Sequence, residues 1–565
     1  MPQGRRKMPF SGKAKKQQMQ NKKLKQQAAA SRGDNDDSTY SNKLRIRKLN
    51  KQPTDKAGVN RYNLHFLTET REELEQRKWQ ARQIIKPVPL IEQEISDNFF
   101  PPGLDMPKRP PWDFSMSKNE LEAREHAYFE DYMKKIQSLG NVGYCELNLE
   151  TWRQLWRVIE MSDVLLTIID IRYPPLMFPP YLYDYITRET GKKMILVFNK
   201  IDLAPPSLVI AWREYFKTQY PQLHILFFTS FPDYNLRKKN KNESELKEFR
   251  RKGKLKMAAE GAQKLLEVCE EIVKDKVDLS EWRKKIQEEI NSEYDLDDLD
   301  RVKNVTVENK DTGFFKHEKF KNGILTIGCI GYPNVGKSSF MNAIIGNKVV
   351  SVSRTPGHTK HFQTIFLTKT VCVCDCPGLV FPSTVPKQLQ ILMGSFPVAQ
   401  VREPYTAVLY IAERIDLPRI LRIQHPEDDD TWSAIDICDG WAVKRNYKTS
   451  RTGRLDTYRA ANSLLRMAVE GRICLCIYPV GWSSNKEKWE KHPDIGLITW
   501  IQARSKELND LHGEDHLYSD DETGTKDTPE DSEGEEGSNA EDSDDESDND
   551  ELMSVSNKFN VLAAD

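Results

Sequence analysis

The sequence predicts an α/β protein built on a mostly parallel, doubly wound sheet that carries a P-loop. Three observations carry this prediction. The first is Gly331-Tyr332-Pro333-Asn334-Val335-Gly336-Lys337-Ser338, a G-x-x-x-x-G-K-S segment that follows the apolar run Ile324–Ile330 and precedes a helical pattern at Ser339–Ile345. The second is the apolar run Lys193–Phe198, ending in Asn199-Lys200-Ile201-Asp202. The third is Val371–Asp375, a β-like run that continues into Asp375-Cys376-Pro377-Gly378-Leu379. Strand, glycine loop and helix in that order are the context that gives a P-loop its meaning.

Each segment has its own chemistry. Glycines let successive backbone N–H groups turn around a polyphosphate, and the following helix adds the partial positive charge of its N-terminus. Lys337 is placed to reach the β- and γ-phosphates, and the Ser338 hydroxyl to hold Mg²⁺. In N-K-I-D, the Asp202 carboxylate can accept two hydrogen bonds from the ring N–H and amino group of guanine. Adenine does not offer that pair, and a site built for it rejects a ligand that leaves it unpaired. Asn199 is expected on the base edge and the Lys200 stem on its face. Asp375 is placed for Mg²⁺ and the Gly378 N–H for the γ-phosphate, where movement would report the loss of that group. The expected ligands are therefore GTP or GDP with Mg²⁺. The contact residues are expected from all of Asn199–Asp202, Gly331–Ser338 and Asp375–Leu379. Between the P-loop and Asp375 lies the polar loop Thr355-Pro356-Gly357-His358-Thr359. Thr359 is the candidate for a catalytic, Mg²⁺-contacting hydroxyl, with Thr355 the alternative. Lys337 is the other catalytic candidate.

In an ordinary GTPase the P-loop comes first and N-K-x-D near the end, whereas here N-K-I-D comes first. With these motifs in this order, the chain resembles the circularly permuted GTPases of the YlqF/YawG group, the nucleostemin-like ribosome-assembly GTPases. The likeness extends to Arg109-Pro110-Pro111-Trp112-Asp113, to 397–405 and to 456–479, and covers residues 60–480. It implies a permuted GTPase domain that hydrolyses GTP to GDP and phosphate. It also implies a nucleotide switch in large-subunit assembly or export, with pre-ribosomal RNA and ribosomal or assembly proteins as partners. Asp170-Ile171-Arg172 stands at the family's D-x-R motif, with no role assigned. Thr229-Ser230-Phe231 stands where relatives place a second base-contacting loop; Phe231 departs from their Ser-Ala, so no site is assigned there. Asn334 stands where related GTPases help bind K⁺, which implies a potassium ion near the γ-phosphate. Leu379 stands where many signalling GTPases carry a water-orienting glutamine, so unassisted hydrolysis is expected to be slow. A competing reading is a GTP-binding signalling or scaffold protein whose partner is another protein.

Composition sets further bounds. The 565 residues allow two or three domains, and 30% charged against 38% hydrophobic residues implies disordered parts. The net charge of −1 conceals opposite ends: residues 1–30 hold nine Lys/Arg and no acid, and residues 511–551 hold nineteen Asp/Glu and one Lys. No apolar run is long enough for a membrane span, and the basic start lacks the apolar core of a secretory signal. Nine cysteines without a disulfide-like framework suit a reducing compartment.

In chain order, residues 1–60 read as a basic disordered arm suited to rRNA phosphates and to nuclear or nucleolar targeting, with shuttling to the cytoplasm left open; the bland reading is a solvated tail. Residues 61–150 read as a helical N-terminal region. Thr70 with Glu73 and Ser117 with Glu120 form capping boxes before helices at 71–84 and 118–138. The GTPase domain is expected over 151–388, with strands at Val164–Asp170 and Leu223–Phe228. Within it, the charged stretch 236–320 reads as a helical insertion, with helices near 244–275 and 279–293. Cys372, Cys374 and Cys376 alternate along a strand, a spacing suited to small buried thiols on one sheet face rather than to a metal site. An α-rich C-terminal domain is expected over 389–505, with a helix at Tyr458–Arg466 and a strand at Ile473–Ile477. Its chain follows directly from the loop after Gly378, so movement there is expected to reach it. Residues 506–565 read as an acidic disordered tail.

Overall fold

The computed structural model describes residues 71–95, 99–113, 115–140, 142–229, 259–291, 318–346, 363–449 and 452–502. The expected basic arm, the acidic tail, Thr70, Ser230, Phe231, and the loop holding Thr355 and Thr359 lie outside the described residues. Strand β1 (Glu94–Ile95) pairs in parallel with the late strand β8 (Tyr478–Pro479). Six strands form the main sheet: β2 (Val164–Asp170), β3 (Lys193–Asn199), β4 (His224–Phe227), β5 (Leu325–Ile330), β6 (Gln363–Phe366) and β7 (Val371–Asp375). Their spatial order is β4-β3-β2-β5-β7-β6, parallel throughout except for the antiparallel edge strand β6.

Every residue of β2 and of β7 is buried. A parallel sheet covered on both faces needs such unbroken apolar runs, because no face is left for polar alternation. Part of the cover comes from the helix Leu149–Met161, started by an Asn148 side chain that accepts from Glu150 N. Its Trp152, Leu155, Trp156 and Ile159 recur at helical spacing and are buried. The helix Pro206–Gln219 buries Leu208, Trp212 and Phe216 in the same way. The expected capping box at Ser117 and Glu120 is present and starts a helix at Lys118–Ser138. The first helix ends early, at Gln80.

The stretch expected to be a helical insertion is, where described, helical and packs into the core. A helix over 259–273 and a second at Ser280–Asn291 bury Leu265, Leu266, Cys269, Trp282 and Ile286 in one apolar cluster with the sheet. A Cβ at Gly261 would stand 2.9 Å from the Phe228 ring, and Thr370 Oγ1 donates to Asp278 O at 2.7 Å. Charge dominates the exposed faces of these helices, whereas the apolar stripe beneath recurs every third or fourth residue.

The C-terminal region is helical, at Lys387–Leu392, Tyr405–Ala412, Leu417–Leu421, Ala434–Lys444, Thr457–Glu470, Lys486–Glu490 and Ile495–Ile501. Its apolar residues join the same buried cluster, so the expected boundary at 388 is no break in the core. The segment Ile473–Ile477 is buried but is not a strand; sheet pairing begins only at Tyr478. Its Cys474 Sγ donates to Leu203 O at 2.8 Å. Cys372, Cys374 and Cys376 are buried, and no cluster of three or more His, Cys, Asp or Glu suited to a metal occurs among the described residues. Among these residues no helix is long and apolar enough to cross a membrane.

The N-terminal region braces the whole. Arg109 pairs with Glu125 (3.0 Å) and Glu160 (2.6 Å), and Arg153 pairs with the second oxygen of the buried Glu125 at 2.7 Å. The segment beyond Gly378 is pinned by Glu146 N to Val380 O (2.9 Å), Gly143 N to Ser383 O (2.8 Å) and Thr384 N to Phe99 O (2.8 Å). Trp282→Ala should lower the stability of the main unfolding transition by about 3–5 kcal/mol in denaturant titration. An unchanged midpoint would mean that the helix Ser280–Asn291 is detachable.

Candidate functional site

Strands β2, β3, β5 and β7 all end at one edge of the sheet, and register aligns Asp170 with Asn199, Thr167 with Ile330, and Cys329 with Asp375. Loops at the carboxyl ends of parallel strands form the usual crevice of an open α/β sheet. The P-loop follows β5. Gly331 has φ of +151°, and a Cβ there would stand 2.4 Å from Ile168 O. Gly336 has φ of +94°, and a Cβ there would stand 2.3 Å from Asn199 Nδ2. Both positions need glycine for conformation and for space. The helix Lys337–Ile345 starts immediately after Gly336. Lys337 Nζ donates to Gly331 O (3.1 Å) and Tyr332 O (2.7 Å), so the side chain lies along its own loop. Lys337 is only 7% exposed, and burial pushes its ammonium below the usual lysine value against the pull of Asp375. A polyphosphate would restore the charge that burial disfavours.

The N-K-I-D segment meets the P-loop. Asn199 Nδ2 donates to Val335 O at 2.6 Å, and Asn199 Oδ1 accepts from Lys200 N at 2.8 Å. Asn199 was expected on the base edge; its first task is to tie two loops together. Lys200 takes a left-handed backbone, φ 57°, and its Nζ donates to Asn334 O at 2.7 Å and pairs with Asp170 at 2.9 Å. Asn334, the potassium candidate, donates from Nδ2 to Gly394 O at 3.2 Å.

Asp375, at the end of β7, is fully buried, and Ser338 Oγ donates to its Oδ2 at 3.3 Å. Its Oδ1 has no hydrogen-bond partner among the described residues. Burial pushes the Asp375 carboxyl up to about 6, with Lys337 and Ser338 pulling the other way. An orphaned buried carboxylate oxygen beside a hydroxyl is a hard, oxygen-only donor set, and it fits Mg²⁺. Gly378 lies against the P-loop: a Cβ there would stand 2.7 Å from Pro333 Cα. Leu379 N donates to Gly331 O at 3.2 Å, and the Leu379 side chain is buried in the core. The side chains of Ile201, Tyr332, Val335 and Cys376 are buried as well, so these residues face the site through their backbone.

The family described as "50S ribosome-binding GTPase" matches residues 326–424. "Guanine nucleotide-binding protein-like 1" of Homo sapiens is 46% identical over 88% of this chain and 90% of its own length. This chain belongs to the guanine nucleotide-binding protein-like 1 family. "Large subunit GTPase 1 homolog" of Mus musculus is 30% identical, over 67% of this chain and 66% of its own. Among solved structures, GNP-bound YlqF from T. maritima is 16% identical over 58% of this chain and 97% of that one, with a TM-score of 0.33.

In this family member, Thr229, to which no site was assigned because of the neighbouring Phe231, meets the N-K-I-D segment. Thr229 is buried at the end of β4, and its Oγ1 donates to Asp202 Oδ1 at 2.7 Å. The available signal was a hydroxyl at the end of the strand beside β3. A hydrogen bond to a charged acceptor contributes about 1.5–3 kcal/mol, so Thr229→Val should weaken guanine nucleotide binding about tenfold or more. Titration with fluorescent GDP measures this, and an unchanged Kd would show that the hydroxyl does not orient Asp202.

Proposed function

We propose that this protein binds GTP and GDP at the crevice above β2, β3, β5 and β7, hydrolyses GTP, and serves as a nucleotide switch in ribosome biogenesis, at large-subunit assembly or export. The observation that carries the reading is the joining of two distant motifs by short hydrogen bonds, Asn199 to Val335 O and Lys200 to Asn334 O. Through them, a carboxylate suited to guanine sits beside a loop suited to phosphates. The name of one relative, a guanine nucleotide-binding protein, supports the nucleotide part, and that of another, a large-subunit GTPase, supports the ribosomal part.

Phosphoryl transfer is mostly positioning and charge stabilisation. Lys337 and the P-loop amides would hold the phosphates, Asp202 would orient the base, and Ser338 and Asp375 would hold Mg²⁺. That ion, when bound, neutralises charge on the phosphates. Thr359 remains the candidate for a third oxygen on it. Leu379 is turned into the core, so position 379 offers no side chain to align water. Unassisted turnover is accordingly slow, and a partner or another segment completes the site. The basic arm would hold rRNA phosphates, and the work would take place in the nucleus or nucleolus.

With its nitrogen on Gly394, Asn334 would reach a cation through its amide oxygen. Hydrolysis should then run faster in KCl than in NaCl at matched ionic strength, and equal rates would remove K⁺ from the mechanism. The ribosomal role is tested by sedimenting the tagged protein through a salt-controlled gradient, wild type against Lys337→Ala. Co-migration with large-subunit particles that changes in the variant is expected. Both proteins at the top of the gradient would favour a signalling or scaffold role.

A further inference from the structure

Asp170 closes β2 at the edge that carries the site, and it is 1% exposed. Its Oδ1 accepts from Arg172 N (3.0 Å) and Arg172 Nε (3.0 Å), and its Oδ2 from Arg172 Nη2 (2.8 Å). The same Oδ2 pairs with Lys200 Nζ at 2.9 Å. Burial opposes ionisation, yet Arg172 and Lys200 together hold the Asp170 carboxyl well below the usual carboxylate range. Arg172 is equally buried and has further donors. Its Nη1 donates to Ala468 O (2.7 Å) and its Nη2 to Val469 O (3.1 Å). Those carbonyls belong to the last turn of the helix Thr457–Glu470, the end that carries partial negative charge; Ala468 O also accepts from Gly471 N at 3.2 Å.

Other contacts join the same two regions. Gln502 Nε2 donates to Ile201 O (2.7 Å) and Ala204 O (2.9 Å), the Cys474 thiol to Leu203 O (2.8 Å), and Asn334 Nδ2 to Gly394 O (3.2 Å). The C-terminal region therefore holds the backbone behind Asp202 and touches the tip of the P-loop.

We infer that Asp170 and Arg172 are positioning residues: they fix Lys200 at the base site and couple nucleotide retention to the seating of the helix Thr457–Glu470. The inference rests on guanine nucleotide binding at Asn199–Asp202, as proposed above. If the helix end withdraws, Arg172 loses two acceptors in a low-dielectric interior, where unmade hydrogen bonds are costly. Its hold on Asp170, and through it on Lys200, loosens with it. Coupling of binding free energies is reciprocal, so a nucleotide that engages Lys200 favours the seated helix.

The test uses the full chain with Arg172→Lys, which keeps the cation but does not bridge Asp170 to both carbonyls. Fluorescent GDP should leave the variant about tenfold faster, within the range typical of coupled sites. In wild type, GDP should increase hydrogen-exchange protection at residues 466–471, and the variant should lose that increase. A merely structural arginine would change melting temperature without changing this ligand-dependent difference. Should Arg172→Lys fail to fold, Asp170→Asn, which keeps shape and removes charge, decides on the same two readouts. A folded variant with wild-type dissociation and wild-type protection overturns the inference. If Asp202→Asn abolishes GDP binding in the same experiment, the nucleotide site stands and the coupling alone has failed. Wild type that binds no GDP overturns both.

Discussion

The parallel pairing of β2 with β5, with Thr167 opposite Ile330, is the constraint on which the rest depends. It joins the half of the chain that carries Asn199–Asp202 to the half that carries the P-loop. Parallel strands in register finish together, so the loops that leave them share one edge whatever their order in sequence. The chain fills one flank with β2, β3 and β4, returns past the helices over 259–291, and then builds the centre and the other flank. A changed order of motifs therefore leaves their meeting point intact.

At that edge the structure combines steric emptiness with incompletely paired charge. Gly331 and Gly336 stand where any side chain would collide with Ile168 O or Asn199 Nδ2. Around them lie a buried cation, Lys337, and a buried carboxylate, Asp375, each pushed toward neutrality by burial. Such groups cost stability unless a ligand supplies the missing partner, which is the expected condition of a site kept for anionic phosphate and a divalent cation. Asp170 and Arg172 are the contrast. They are just as buried, yet fully engaged by each other, Lys200 and two helix carbonyls, and so belong to the framework.

The C-terminal helices are part of the same core rather than an appended domain. Chain continuity alone nominated the segment after Gly378 as the link between phosphate and C-terminal region. That segment is fastened to Phe99, Gly143 and Glu146 of the N-terminal region. The broader contact runs through Arg172, Cys474 and Gln502 to the backbone of the base-recognition loop. The nucleotide site thus touches the C-terminal region from two sides, the phosphate end through Asn334 and the base end through Ile201–Ala204.

The edge strand β6 and the pairing of β1 with β8 were not read from the sequence, which by itself located β2, β3, β5 and β7, the permuted order of the motifs, and Asp202, Lys337, Ser338 and Asp375 as candidates. These are local facts: a phosphate cradle is one strand, one loop and one helix start, and unbroken apolar runs mark buried parallel strands. Only the tertiary structure decided that Thr229 holds Asp202, that the helices over 259–291 pack into one core with the sheet, and that Arg172 caps a helix 296 residues away. The contact of Arg172 joins residues far apart in the chain and ends on backbone carbonyls. A carbonyl is the same in every residue, so no pattern of side chains announces which one a distant arginine will find.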